Sequence, residues 1–158
     1  MENPRQVDVQ ELVRRLEALE AERAILRTLY RYGHSIDYGL EQEWVDCFTE
    51  NGVFDVRRRV GPASARYEGR AALAAFIAQH TRAPGRYHKH MLMEPAIAVN
   101  DDQATVQSYF ARLDATHEGR PFIRAFGRYL DRMVKGTAGV WRFTERIAEV
   151  EAVGEEPL

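Results

Sequence analysis

Cysteine is nearly absent from this 158-residue chain: Cys47 stands alone, so no intrachain disulfide can form and a reducing, cytoplasmic setting is expected. Surplus positive charge is also lacking. The 22 Lys and Arg are outnumbered by 24 Asp and Glu, and a formal net charge of −2 leaves no concentrated basic face for nucleic acid. Arg57-Arg58-Arg59 is the one basic run, and a solvated loop or hairpin accounts for it. No apolar run reaches membrane-spanning length and Met1–Gln6 has no hydrophobic leader, so no membrane partner is expected. The chain has no phosphate-cradling glycine loop, no Gly-x-Ser-x-Gly elbow and no His-Glu-x-x-His helix. Internal repeats and low-complexity tracts are missing too.

What remains is an ordinary globular composition, 45% hydrophobic and 29% charged, at a length that suits one domain. That domain spans residues 1–158, with a core of about 8–150 and loose ends at 1–6 and 152–158. From Val7 the pattern is helical. Leu12, Leu16 and Leu19 form one stripe that continues through Leu26, Tyr30, Gly33 and Asp37, and Ile25-Leu29-Tyr32-Ile36 runs beside it. The charged stretch Glu17–Arg23 reads as an exposed section or a bend. Glu41–Phe48 predicts a short helix, Thr49-Glu50-Asn51-Gly52 a turn, Val53–Val56 a strand and Tyr67-Glu68-Gly69 a short return strand. An amphipathic helix follows over Arg70–His80. The rest is β: His88–Val99 with a bulge or edge at Pro95, then Ala104–Asp114, Phe122–Val134 and Val140–Val150, joined by short turns as an antiparallel meander. Helices first and a meander after give an α+β class. A strongly bent sheet wrapped on a long helix would enclose an apolar cavity suited to a small molecule.

The chemistry concentrates in Arg86-Tyr87-His88-Lys89-His90-Met91-Leu92-Met93-Glu94, which holds two of the five histidines. His88-x-His90 followed by Glu94 copies the ligand spacing of cupin metal sites, and two strand histidines at period 2 share a face. The glycines of that motif are missing, since Arg82 and Asp101 stand in their places, and no metal is expected. Asp37 ends an otherwise apolar or aromatic stripe, where it either closes the helix before Gly39 or serves a site. A carboxylate that accepts the Nδ1–H of His90 would fix the ring's tautomer and leave Nε2 as a base. Such a pair needs no cofactor to remove a proton beside a carbonyl or to drive elimination. Tyr30, Tyr32, Arg112 and Arg146 are candidates for binding the oxygen that gains charge. Cys47 reads as core, and His34, His80 and His117 as partly exposed or satisfied.

Several segments in fixed order carry a family resemblance. They are Tyr32-Gly33-His34-Ser35-Ile36-Asp37, Trp44–Phe54, Tyr67-Glu68-Gly69-Arg70, His90 leading into Pro95–Ala104, Gly127-Arg128-Tyr129-Leu130-Asp131, and Gly139–Arg146. Together they resemble the SnoaL-like branch of the nuclear-transport-factor-2-like superfamily. The resemblance implies a cone-shaped α+β barrel with a deep pocket, its long N-terminal helices packed on a strongly curved, mainly antiparallel sheet. Scytalone dehydratase, bile-acid 7α-dehydratase and hexachlorocyclohexane dehydrochlorinase share that branch and use an Asp–His dyad for elimination. It carries the dyad onto Asp37 and His90, with Tyr32 and Arg146 in support. It also implies a cofactor-independent, dehydratase-type lyase acting on a hydrophobic, cyclic hydroxylated small molecule, and a homo-oligomer, dimer or trimer. Double-bond isomerisation, polyketide cyclisation and a non-catalytic binding or partner subunit are the alternatives the same fold hosts. Tyr30, His88, Phe54, Met91, Arg112 and Phe126 are the candidate substrate-binding residues. One geometric question stays open: on a straight helix Tyr32 sits about 140° around from Asp37, whereas Tyr30 lies nearly above it. Either the helix unwinds near Gly33 or Tyr30 is the pocket residue.

Overall fold

The computed structural model describes residues 8–155. Helix α1 runs unbroken over Val9–Tyr38. Asp8 caps its start by accepting the Gln10 and Glu11 backbone N–H groups at 3.0 and 3.4 Å. Gly39 closes its end in the left-handed region at φ 70°, with its N–H donated to the Ser35 carbonyl. The buried stripe is Ile25-Leu29-Tyr32-Ile36, whose spacings of four, three and four keep one face inward. The neighbouring stripe behaves differently: Leu12, Leu16 and Leu19 are half-exposed or more. The charged stretch Glu17–Arg23 is mostly exposed and lies in unbroken helix, and α1 does not unwind at Gly33.

Helix α2 (Glu41–Val45) leads into β1 (Phe48–Arg58), β2 (Ala65–Glu68) and α3 (Gly69–Gln79). Strands β3 (His88–Asn100), β4 (Gln103–Ala115), β5 (Pro121–Lys135) and β6 (Trp141–Val153) follow, with a short 3-10 turn at Thr137–Gly139 before the last. Six strands make one sheet in the order β2-β1-β6-β5-β4-β3. β3 to β6 form the antiparallel meander, and β1 joins it parallel to β6. The sheet curls without closing, because β2 and β3 remain separate edges. The predicted turn at Thr49–Gly52 is instead an excursion inside β1: pairing passes from Phe48↔Phe143 to Val53↔Glu145, five residues on β1 against two on β6. Val153 still pairs with Ala125, so residues 152 and 153 belong to the sheet and not to a loose end. The predicted loose ends at 1–6 and 156–158 lie outside the described residues.

Curvature comes from irregularities in the ladders, between Met93 and Ala96 in β3, at the extra residue Arg124 in β5 opposite Arg112/Leu113, and at the extra residues Thr144 and Glu151 in β6 opposite Arg132/Met133 and Phe126/Gly127. At Gly127 the backbones press together so closely that a Cβ would lie 1.9 Å from the Glu149 carbonyl oxygen, which only glycine tolerates. The concave face packs on α1, α2 and α3 through Trp44, Phe48, Phe54, Phe143, Leu73 and Ile77. Among the described residues no helix is long and apolar enough to cross a membrane.

Candidate active site

Asp37 lies in the last turn of α1, where the helix dipole disfavours a carboxylate. Two nitrogens of His90 offset that cost. His90 Nδ1 is 2.7 Å from Asp37 Oδ1, and the His90 backbone N–H donates to Oδ1 and Oδ2 at 3.2 and 3.1 Å. His88 Nε2 stands 3.5 Å from the same Oδ1. Since an ionised carboxylate only accepts, the Asp37 contact places the ring proton of a neutral His90 on Nδ1 and leaves Nε2 unprotonated. Gly33, one helical turn before Asp37, allows the approach: a Cβ there would already touch the His90 carbonyl oxygen at 3.4 Å. A short side chain on α1 can therefore reach a strand backbone directly.

Two further imidazoles crowd the dyad. His80 caps the C-terminus of α3, and His88 precedes His90 by one strand period, so both strand rings face inward. Ring centroids are 5.2 Å apart for His88 and His90, 5.3 Å for His80 and His88, and 5.7 Å for His80 and His90. Burial pushes His80 down to about 3, helped by the charges of His90 and Arg112. Burial likewise takes His88 down to about 4, with Arg112 and His90 adding to it. Neither His88 ring nitrogen has a hydrogen-bond partner among the described residues. One nitrogen from each of His80, His88 and His90 falls within 4.8 Å of the others, the only group among the described residues that could hold a metal ion. Glu94, from the metal spacing in the sequence, is exposed on the β3 bulge at φ 50° and takes no part.

The depressed histidines set a pH dependence for the fold. Unfolded imidazoles take up protons near pH ~6.5, whereas folded His80 and His88 resist until about 3 and about 4. The unfolded state therefore binds more protons in that window, and the stability present above pH ~6.5 is lost as pH falls toward the folded values. Thermal melts from neutral pH to pH ~4 should show the midpoint falling, and less steeply in His88→Gln. A variant curve parallel to the wild-type curve would contradict this origin.

Deeper in the cone is a second charged group. Asp131 on β5 and Arg146 on β6 are cross-strand partners, both with fully buried side chains, and Arg146 Nε lies 3.4 Å from Asp131 Oδ1. The guanidinium sits over the rings of Tyr129, Tyr32 and Phe143 at 3.7, 4.1 and 4.6 Å. Strand parity alone would turn Arg146 outward, since Trp141 and Phe143 already face in. Thr144 has no partner between Arg132↔Glu145 and Met133↔Phe143, and that extra residue rotates Arg146 to the inside. Burial raises the Tyr32 phenol well above its ordinary value and takes Tyr129 up to about 12, so both remain protonated donors. Burial also raises Asp131, against the pull of Arg146.

Two cavities meet at His90, Tyr32 and Tyr129. The inner one, about 300 Å³, lies inside the cone against Ile36, Phe54, Val56, Phe110, His80 and Arg112. The outer one, about 330 Å³, opens between α1 and β3 beside Tyr30, Asp37, Met91 and Arg146. Of the sequence candidates, Asp37, His90, Tyr32 and Arg146 are thus gathered around one junction. Phe54 and Arg112 line the inner cavity; Tyr30 and Met91 line only the outer one, both half-exposed. His88 is buried behind the dyad and lines neither cavity. Phe126 lines neither as well: Ala125 before it faces the cavity, and Phe126 points to the opposite, exposed side of the strand. Sequence reasoning passed over His80, Tyr129 and Asp131. Tyr129 and Asp131 carried a signal, an acid two residues from an inward tyrosine on a long strand, whereas His80 carried none.

Comparison with known proteins adds to this geometry. None of the curated proteins matches the chain. A nuclear-transport-factor-2-like protein with a cystatin-like fold from Novosphingobium aromaticivorans is 27% identical, with a TM-score of 0.76 over 90% of each chain. A Mycobacterium tuberculosis protein of unknown function is also 27% identical, with a TM-score of 0.74 over 87% of this chain and 75% of that one. A Catenulispora acidiphila protein, solved in complex with S-DNPA, is 27% identical, with a TM-score of 0.68 over 85% of this chain and 94% of that one. The model of the SnoaL-like domain matches residues 17–147, from the middle of α1 into β6: the chain belongs to the SnoaL-like family.

Proposed function

We propose that the protein is a cofactor-independent lyase that eliminates water from a hydrophobic, cyclic hydroxylated small molecule. The carrying observation is the clamp of Asp37 on His90, which leaves Nε2 free on a ring shared by both cavities. His90 Nε2 takes the proton beside a substrate carbonyl. The electron pair of that C–H bond becomes the new C=C bond as the C–O bond to the hydroxyl breaks. The Tyr32 phenol, kept protonated by burial, protonates the departing oxygen, which leaves as water. The proton on His90 then restores Tyr32 through solvent, so the enzyme ends unchanged. Asp37 steadies the imidazolium in between, and Arg146, stacked on Tyr32, favours negative charge on the phenol oxygen while it is deprotonated. That a similar protein was solved in complex with S-DNPA supports a ligand-holding role.

Incubation with β-hydroxy ketones on fused-ring carbon frames, followed by mass spectrometry in deuterated water, tests this. Loss of one water from a substrate supports elimination. Unchanged mass apart from deuterium incorporation points to double-bond isomerisation, and binding without either change to a non-catalytic module.

A further inference from the structure

The wall of the inner cavity has charge of one sign. Three arginines, Arg58, Arg112 and Arg124, line it, and no aspartate or glutamate among the described residues does, although acids outnumber bases in the whole chain. The three sit at one end of the sheet. His90 pairs with Arg112, Arg112 with Ala125, Ala125 with Val153, and Arg58 with Val150, a path across five strands that ends on the proposed base. The arginines are not equivalent. Arg112 is held by Asp114 through two hydrogen bonds, of 2.7 and 3.1 Å, so its charge is largely compensated. Among the described residues the Arg58 and Arg124 side chains bond only to main-chain carbonyls, Arg58 Nη1 to Ala63 at 3.0 Å and Arg124 Nη1 to Gly154 at 2.9 Å. Neither has a carboxylate within ion-pair distance among the described residues. Each guanidinium carries five donors and spends one of them, and a partly apolar wall focuses the two remaining positive charges into the cavity.

We propose that the substrate's apolar ring system carries a carboxylate, bound by Arg58 and Arg124 at the outer end of the inner cavity. The ring lies against Phe54, Val56 and Phe110, with its reacting carbon toward His90. This rests on the proposed elimination at His90, places the substrate in the inner of the two cavities that share that ring, and names the class which that reading left open. Hydroxylated ring compounds with an acidic side arm fit; neutral ones of the same shape lose the anchoring contact.

The test is a binding comparison between naphthalene-acetate and naphthalene-acetamide, which share a ring and differ in charge. Calorimetry or ligand-observed NMR on the full chain should find the acid about tenfold tighter or more at low salt. The preference should shrink as salt is raised. In Arg58→Gln/Arg124→Gln the acid should fall to the level of the amide. Equal affinities, no binding of either compound, or a preference that survives the double substitution overturns the proposal. The wild-type comparison and its salt dependence stand without any variant. Neither compound reacts, so a failure here is distinct from a failure of the elimination reading, which shows only in turnover.

Discussion

His90→Gln should lower turnover on the true substrate by about 10²–10⁴, the usual worth of a positioned general base, while the fold survives. The reason lies in how Asp37 is held. Two of its contacts come from the His90 backbone N–H, at 3.1 and 3.2 Å, and these persist whatever side chain position 90 carries. A glutamine can also donate its amide N–H to Asp37, so the junction of α1 and β3 stays closed while the basic nitrogen is gone. Asp37→Asn makes the complementary case: its amide donates to Nδ1, forces the proton of a neutral ring onto Nε2 and removes the base without removing the imidazole. Both variants should bind substrate with little change in affinity and lose kcat, which single-turnover measurements separate from KM. Retention of more than roughly a tenth of the activity in His90→Gln would remove the base from His90. If Asp37→Asn keeps full activity while His90→Gln does not, the ring acts without its orienting carboxylate.

How far the fold could be read in advance depended on whether periodicity held. The stripe Ile25-Leu29-Tyr32-Ile36 stays in register along a regular helix and is the buried face. The meander was legible for the same reason, with long alternating strands divided by short turns. Bulges defeat such reasoning because one extra residue exchanges the two faces of a strand. The unpaired Thr144 brings Arg146 inward against simple alternation, so residue chemistry and the family pattern could name Arg146 as a candidate but strand parity could not place it inside. The excursion at Thr49–Gly52 has the composition of a turn and yet lies within β1. The conflict between Tyr32 and Asp37 arose from assuming one buried face on α1. The curled sheet clasps the helix, so Tyr32 meets the aromatic interior while Asp37, about 140° around by helical geometry, meets β3. His80 was beyond reach for another reason: a residue at a helix end is placed by how that helix docks, which no local pattern encodes.

Arg146→Met should destabilise the protein by about 3–5 kcal/mol at pH ~8, the cost of leaving one partner of a buried ion pair alone. Arg146 and Asp131 are both fully buried, and none of the three guanidinium nitrogens has a hydrogen-bond partner among the described residues. The guanidinium is therefore held by Asp131 at 3.4 Å and by three aromatic faces, a costly arrangement once either half is lost. Methionine fills most of the space without replacing the charge. Acid should lessen the damage. Burial already lifts Asp131 to about 7 with Arg146 present, so the folded carboxyl binds a proton more readily than the unfolded one. The stabilisation from that protonation is present at low pH and lost as pH rises from the unfolded value of ~4 through the folded one. Removing Arg146 moves the folded value higher still, so urea denaturation at pH ~5.5 should show a smaller loss than at pH ~8. Asp131→Asn added to Arg146→Met should recover part of the loss at the higher pH, a coupling that independent sites would not give. Arg146→Lys keeps the charge but not the planar stack on Tyr129 and Tyr32, and should resemble Arg146→Met more than wild type. Strict additivity in the double variant, or a loss independent of pH, would mean that Arg146 acts through packing alone and that Asp131 is satisfied without it.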